Sequence, residues 1–237
     1  MSAAQELSAC DSKLNGHDLA TELFLEGIVA LDIAAISPIQ LIAAALIHHY
    51  PIAEALRLAE VALAAFGSIT SLVSSSRERA CAMIGISRQA WATLQLMRKF
   101  AGVALREPLL NRALLSDIDA VCDYLTITLG DESHESVRVL YLSSRNHLIE
   151  DEAHAVGTTD TTPFYPRQLI MRACDLRARG IIIAHNHPSG DPSPSPDDIA
   201  LTQQISSLLS QIGIRLLDHI IIGRNRFFSF RQEGKLK

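Results

Sequence analysis

The feature that most constrains this chain is a short apolar run that breaks into a histidine-rich loop. Ile181-Ile182-Ile183-Ala184 is followed by His185-Asn186-His187-Pro188-Ser189-Gly190-Asp191-Pro192-Ser193-Pro194-Ser195-Pro196-Asp197-Asp198. The apolar run suits a strand buried on both faces. A strand ending at His185 delivers the histidines to its C-terminal edge, and alternation sends His185 and His187 to the same side. Ser195-Pro196-Asp197-Asp198 reads as a helix start, with Ser195 as N-cap, Pro196 in the first position and acids in the first turn. Two imidazoles and a carboxylate arriving from that helix supply three ligands of a tetrahedral Zn2+ site with the fourth position open to water. A capping role alone would also account for Ser195 and one aspartate.

The surrounding text supports a mixed domain of about 120 residues. A helix is expected over Asp117–Thr126, a strand over Val137–Leu142, a turn at Arg145-Asn146 and a hairpin partner over His147–Glu150. Pro166 opens another helix, for which Gly180 serves as the stop, and a helix runs from Ser195 to about Leu209. Arg215–Ile222 and Arg226–Phe230 read as two strands around Gly223-Arg224-Asn225. Before this region the pattern is different. From Gly16 to about Phe100 apolar residues recur at helical spacing, with breaks at Pro38, Pro51, Gly67-Ser68 and Gly85. The expected organisation is therefore a loose tail over 1–15, a helical domain over 16–110 and an α+β domain over 115–237.

Composition narrows the functional classes. The net charge of −5 and the pI of 6.0 do not suit a dedicated nucleic-acid binder. The 4 cysteines form no C-x-x-C pair, which points to reduced thiols in the cytoplasm. Ile33–Ile47 is too short and too interrupted for a membrane span, and the N-terminus lacks the basic start and apolar run of a signal peptide. A cytoplasmic protein with no membrane partner is expected.

His185-x-His187-Pro188, six residues, then Ser195-x-x-Asp198 resembles the JAMM motif of MPN-domain metallopeptidases. The fuller string HNHPSGDPSPS, with YPRQLIMRACDLRARGIIIA before it, looks like the RadC-like bacterial branch, over about residues 115–237. The resemblance implies a JAB/MPN α/β/α fold, Zn2+ held by His185, His187 and Asp198, and Ser195 stabilising the tetrahedral intermediate. It implies a general base just before the first strand, where Glu135 stands; Glu132, Glu150 and Glu152 are rivals. The implied activity is zinc-dependent hydrolysis of an amide in a peptide or protein, with no substrate identified.

The N-terminal region is similar to the helix–hairpin–helix-like domain attached to RadC-like proteins, through Phe66-Gly67-Ser68 and Met83-Ile84-Gly85-Ile86-Ser87. Its hairpin has Ser87 where a DNA-binding hairpin carries a second glycine. Acids dominate residues 16–66, whereas 76–106 hold Arg77, Arg79, Arg88, Arg98, Lys99 and Arg106. A packing or interaction module is the leading expectation there. A DNA partner in repair or recombination is the alternative, and a metal-binding scaffold is a third reading of the whole chain. Asp218-His219 reads as structural on an edge strand, with support of the ligand residues from behind as the alternative; His48-His49 reads as core edge or surface, and Arg167, Arg172, Arg177 and Arg179 as a solvated basic helix face that an anionic partner could also meet.

Overall fold

The computed structural model describes residues 16–130, 134–156, 166–224 and 226–236. The expected tail over 1–15 lies outside them. The chain divides into two compact units, one running to Leu72 with Arg77–Leu94, the other Val73–Ser76 with the chain from Gln95 onward.

The first unit is helical, as the 3.6-residue periodicity requires. Its helices are α1 (Gly16–Val29), α2 (Pro38–Leu46), α3 (Ile52–Phe66), α4 (Ile69–Ser74), α5 (Arg77–Ile84) and the start of α6 (Arg88–Leu110). Helix α2 opens on a capping box in which Ser37 Oγ accepts from Gln40 N and Gln40 Oε1 accepts from Ser37 N, with Pro38 in the first position. Gly67 ends α3 in the left-handed conformation, φ 76°. The core uses small and branched side chains, among them Leu46, Ala55, Leu58, Ala59 and Ala62. Between α5 and α6, Ser87 Oγ accepts from Ala90 N, and the Ser87 amide donates to Tyr50 Oη at 2.6 Å. That amide is thereby bonded within the unit.

The second unit carries helix α7 (Ile118–Leu129), strands β1 (Ser136–Leu142) and β2 (Leu148–Val156), helix α8 (Pro166–Asp175), strand β3 (Gly180–Asn186), helix α9 (Pro196–Gln211), and strands β4 (Arg215–Gly223) and β5 (Arg226–Ser229). The sheet order is β2-β1-β3-β4-β5. Only β3 and β4 run parallel, and α9 supplies the crossover that a parallel pair needs. Helix α7 packs on one face, where Val121 and Leu125 meet Leu140, Ile182, Ala184 and Ile220. Helices α8 and α9 cover the other, where Leu169, Ala173, Ile205 and Leu209 meet Val139, Tyr141, Ile181 and Ile183. The result is the α/β/α layering of the JAB/MPN fold. Every residue of β3 is buried, as an unbroken apolar run predicts.

The C-terminal half of α6 belongs to this unit. Arg98 donates to the carbonyls of Ile127 and Thr128 at 2.8 and 3.0 Å, closing the end of α7, and Leu109 is fully buried in the α7 core.

Three local expectations are corrected. Gly180 is not a helix stop: α8 ends at Asp175 and Gly180 opens β3, where a Cβ would lie 2.3 Å from Leu217 Cδ1. Arg177, at φ 52°, and Arg179 lie beyond α8, so the four arginines do not form one helix face. Strand β2 runs on to Val156, well past Glu150. Among the described residues no helix is long and apolar enough to cross a membrane.

Candidate metal centre

Strand alternation decides which layer receives the first histidine. Ile181 and Ile183 face α8 and α9, so His185, two residues on, points the same way. The chain leaves β3 at Asn186. His187 stays in line because its amide donates to Ile222 O of β4 at 2.9 Å. Gly190 then turns the loop at φ +83°, and its carbonyl accepts from Arg224 N at 2.9 Å, which fastens the loop to the β4–β5 turn. The loop ends at the start of α9, whose first turn faces His185.

That first turn is a capping box. Ser195 Oγ accepts from Asp198 N at 3.1 Å, while Asp198 Oδ2 accepts from Ser195 N at 2.8 Å and from the Ser195 hydroxyl at 2.6 Å. Capping and ligand roles therefore coincide in Asp198 and do not exclude each other. Its carboxylate lies 3.2 Å from His185 Nε2 through Oδ1 and 3.4 Å from His187 Nε2 through Oδ2. The two Nε2 atoms are 3.0 Å apart. His185 and Asp198 are buried and His187 is half-buried.

The donor set fits a divalent cation. His187 Nδ1 lies 2.8 Å from Asp191 O, and a carbonyl can only accept, so Nδ1 carries the proton and Nε2 presents a lone pair. Ligand atoms of all three residues lie within 4.8 Å of one another, and the group can hold a metal ion. Asp198 is kept ionised: burial opposes its charge, but the hydrogen bonds around it hold the carboxyl far below the usual range. The same carboxylate raises the His187 pKa, a measure of how strongly this cluster draws positive charge. Two imidazoles and one carboxylate suit a divalent transition-metal ion.

Glu135 precedes β1, and its Oε1 lies 3.9 Å from His185 Nε2. Its backbone is held by a residue that sequence reasoning passed over. The Asn186 side chain, 1% exposed, accepts from Ser136 N at 2.8 Å and donates to His134 O at 3.1 Å, gripping the chain on both sides of Glu135. Two of the rival bases lie elsewhere. Glu150 stands opposite Tyr141, four residues along β1 from the Val137–His185 pair. Glu152 is committed to the Arg172 guanidinium, which holds its carboxyl below the ordinary range. Glu132 lies outside the described residues.

Asp218 and His219 are also placed differently from expectation. Strand β4 is not an edge, since β5 flanks it, and both residues are buried. Asp218 accepts from Ser229 Oγ, Arg231 N and its neighbour's amide, His219 N, a structural role. His219 instead turns its ring to His185, with Nε2 2.9 Å from His185 Nδ1. Burial pushes its pKa down to about 3. His48 and His49 are exposed, as a core-edge position allows, and lie on the first unit.

Comparison with known proteins places this geometry in context. The profile of the RadC-like JAB domain matches residues 115–235. A UPF0758 protein of Ruegeria pomeroyi is 36% identical over 203 residues, covering 86% of this chain and 91% of the relative. A UPF0758 protein of Rhodobacter capsulatus is 39% identical over 179 residues, covering 76% and 84% respectively.

Proposed function

Because the chain belongs to the RadC-like JAB-domain family, we propose that it is a Zn2+-dependent hydrolase that cuts an amide bond of a peptide or protein substrate. The JAB/MPN superfamily includes metal-dependent hydrolases. The observation that carries the reading is the convergence of His185, His187 and Asp198, with Glu135 3.9 Å from His185 Nε2. Held by these three ligands, Zn2+ would lower the pKa of its water to about 7 and polarise the scissile carbonyl.

The chain's own groups supply the rest. Glu135 takes the proton from the attacking water and returns it to the leaving amine, a shuttle that a carboxylate beside the ligands can perform. Ser195 is a donor for the developing oxyanion. Its hydroxyl now donates to Asp198 Oδ2, but the Ser195 amide binds the same oxygen, so the hydroxyl can turn away without releasing the carboxylate. Such a donor is worth about 3 kcal/mol of barrier. A cytoplasmic setting agrees with the free thiols Cys81, Cys122 and Cys174.

The test is metal analysis combined with turnover of a panel of quenched peptides and a lysine-linked isopeptide. The purified chain should hold about one Zn2+, His187→Ala should lose it, and Glu135→Gln should keep it while hydrolysis falls at least about 100-fold. Wild-type metal content in His187→Ala, or unchanged turnover in Glu135→Gln, would overturn the proposal. Full metal content with no turnover of any substrate would favour a metal-binding scaffold.

A further inference from the structure

We propose that His219 and Thr202 are positioning residues for this centre: a chain of hydrogen bonds fixes His185 in the tautomer whose Nε2 lone pair faces Asp198 and His187. The proposal deepens the metal reading above and rests on it for its purpose, though not for its geometry.

Three close contacts each need one proton, and the donors can be counted. Thr202 Oγ1 lies 2.5 Å from Asp198 O, one turn back along α9, and 2.6 Å from His219 Nδ1. A carbonyl cannot donate, so the single hydroxyl proton lies on the Asp198 side. The contact with His219 then takes its proton from the ring, which makes His219 an Nδ1–H donor. Its ring is 1% exposed, stacks on Phe230 at 5.1 Å between centroids, and is packed among His185, Thr202 and Phe230, none of them negatively charged. The Asp198 carboxylate nearby favours a charge on the ring, but full burial outweighs it and the imidazole is neutral, so its Nε2 is an acceptor. The third contact, His185 Nδ1 to His219 Nε2 at 2.9 Å, is therefore bridged by the His185 proton. His185 is neutral when it serves as a ligand, and its Nε2 then carries only a lone pair.

The chain joins two of the three candidate ligand residues, starting at Asp198 and ending at His185. Asp198 offers its carboxylate to the centre and its main-chain carbonyl to Thr202, and the relay returns through His219 to His185. An imidazole ligand whose far nitrogen donates to an oriented acceptor binds more tightly, and loss of such an acceptor costs roughly 10–100-fold in metal affinity. Here the acceptor is a second histidine, whose own tautomer is set by one hydroxyl.

Two measurements on the full chain test this. In the first, Zn2+ affinity is measured by competition with a chromophoric chelator. Thr202→Val keeps the shape and removes the hydroxyl, and should weaken binding about tenfold. Thr202→Ser restores the hydroxyl and should bind within about twofold of wild type. Wild-type affinity in Thr202→Val, even with a lowered melting temperature, would reduce the chain to a structural role and overturn the proposal. In the second, nitrogen-15 spectra of histidine-labelled protein should show the shared proton on His185 Nδ1, with a scalar coupling across the hydrogen bond to His219 Nε2. A His185 ring with its proton on Nε2 and none on Nδ1 would sink the idea without any variant. If the wild-type chain takes up no Zn2+, the metal reading fails by itself, and the spectra of the metal-free chain still decide the relay.

Discussion

Asn186 stands between two ligands, yet its side chain serves the neighbouring strand. Replacing it with alanine removes the hydrogen bonds to the Ser136 amide and the His134 carbonyl. Each such bond contributes about 0.5–1.5 kcal/mol. The larger consequence falls on Glu135, whose backbone loses its grip. Asn186→Ala is expected to lower kcat for amide hydrolysis at least about tenfold while Zn2+ affinity stays within about twofold, because an ill-placed base impairs proton transfer and not ligation. Steady-state kinetics beside a chelator competition would check this, and equal losses in both would show that the ligands themselves had moved. Residues of this kind were the least legible. His185, His187, Ser195 and Asp198 stand within one stretch of loop and helix start, where strand alternation and capping rules apply. His219 meets His185 across 34 positions and Asn186 meets His134 across 52. No local period carries such distances, so which side chain His219 meets is not readable until the strands are paired.

At the level of elements, most of the fold follows from local chemistry. The strand over Val137–Leu142, the unbroken apolar β3 and the capped start of α9 were readable because each rests on near neighbours. Gly180 was misread because its reason is Leu217 on the adjacent strand, which no periodicity encodes. Helix α6 is a further case: its sequence runs on from the helical first half, while Arg98 at its middle reaches the end of α7 and Leu109 in its last turn joins the α7 core. A fragment starting at Gln95 should therefore be clearly more stable in urea than one starting at residue 115. In the full chain, Leu109→Ala should cost about 2–5 kcal/mol, the range for emptying a buried leucine site. Equal stability of the two fragments would show that α6 is dispensable to the sheet.

For the whole molecule, charge and metal set the expectations. Of the six bases in 76–106, Arg77 pairs with Glu78, Arg98 is spent on two carbonyls, and Arg106 pairs with Asp151. With Arg79 also over the Phe66 ring, more than half of the charge that a phosphate backbone would need is already engaged within the protein. Metal should govern stability instead. With Zn2+ at about 100 times its dissociation constant, the folded chain gains about 2.7 kcal/mol. Adding a chelator should lower the melting temperature by roughly 5–10 °C, and calorimetry of His187→Ala should show no such response. The route by which that energy reaches the fold is set by Asp198. One carboxylate closes the first turn of α9 and also faces the histidines, so that turn cannot unwind while the ion is held, and the ion cannot be fully held while it is unwound. Uptake of metal and the nucleation of a helix become a single cooperative event.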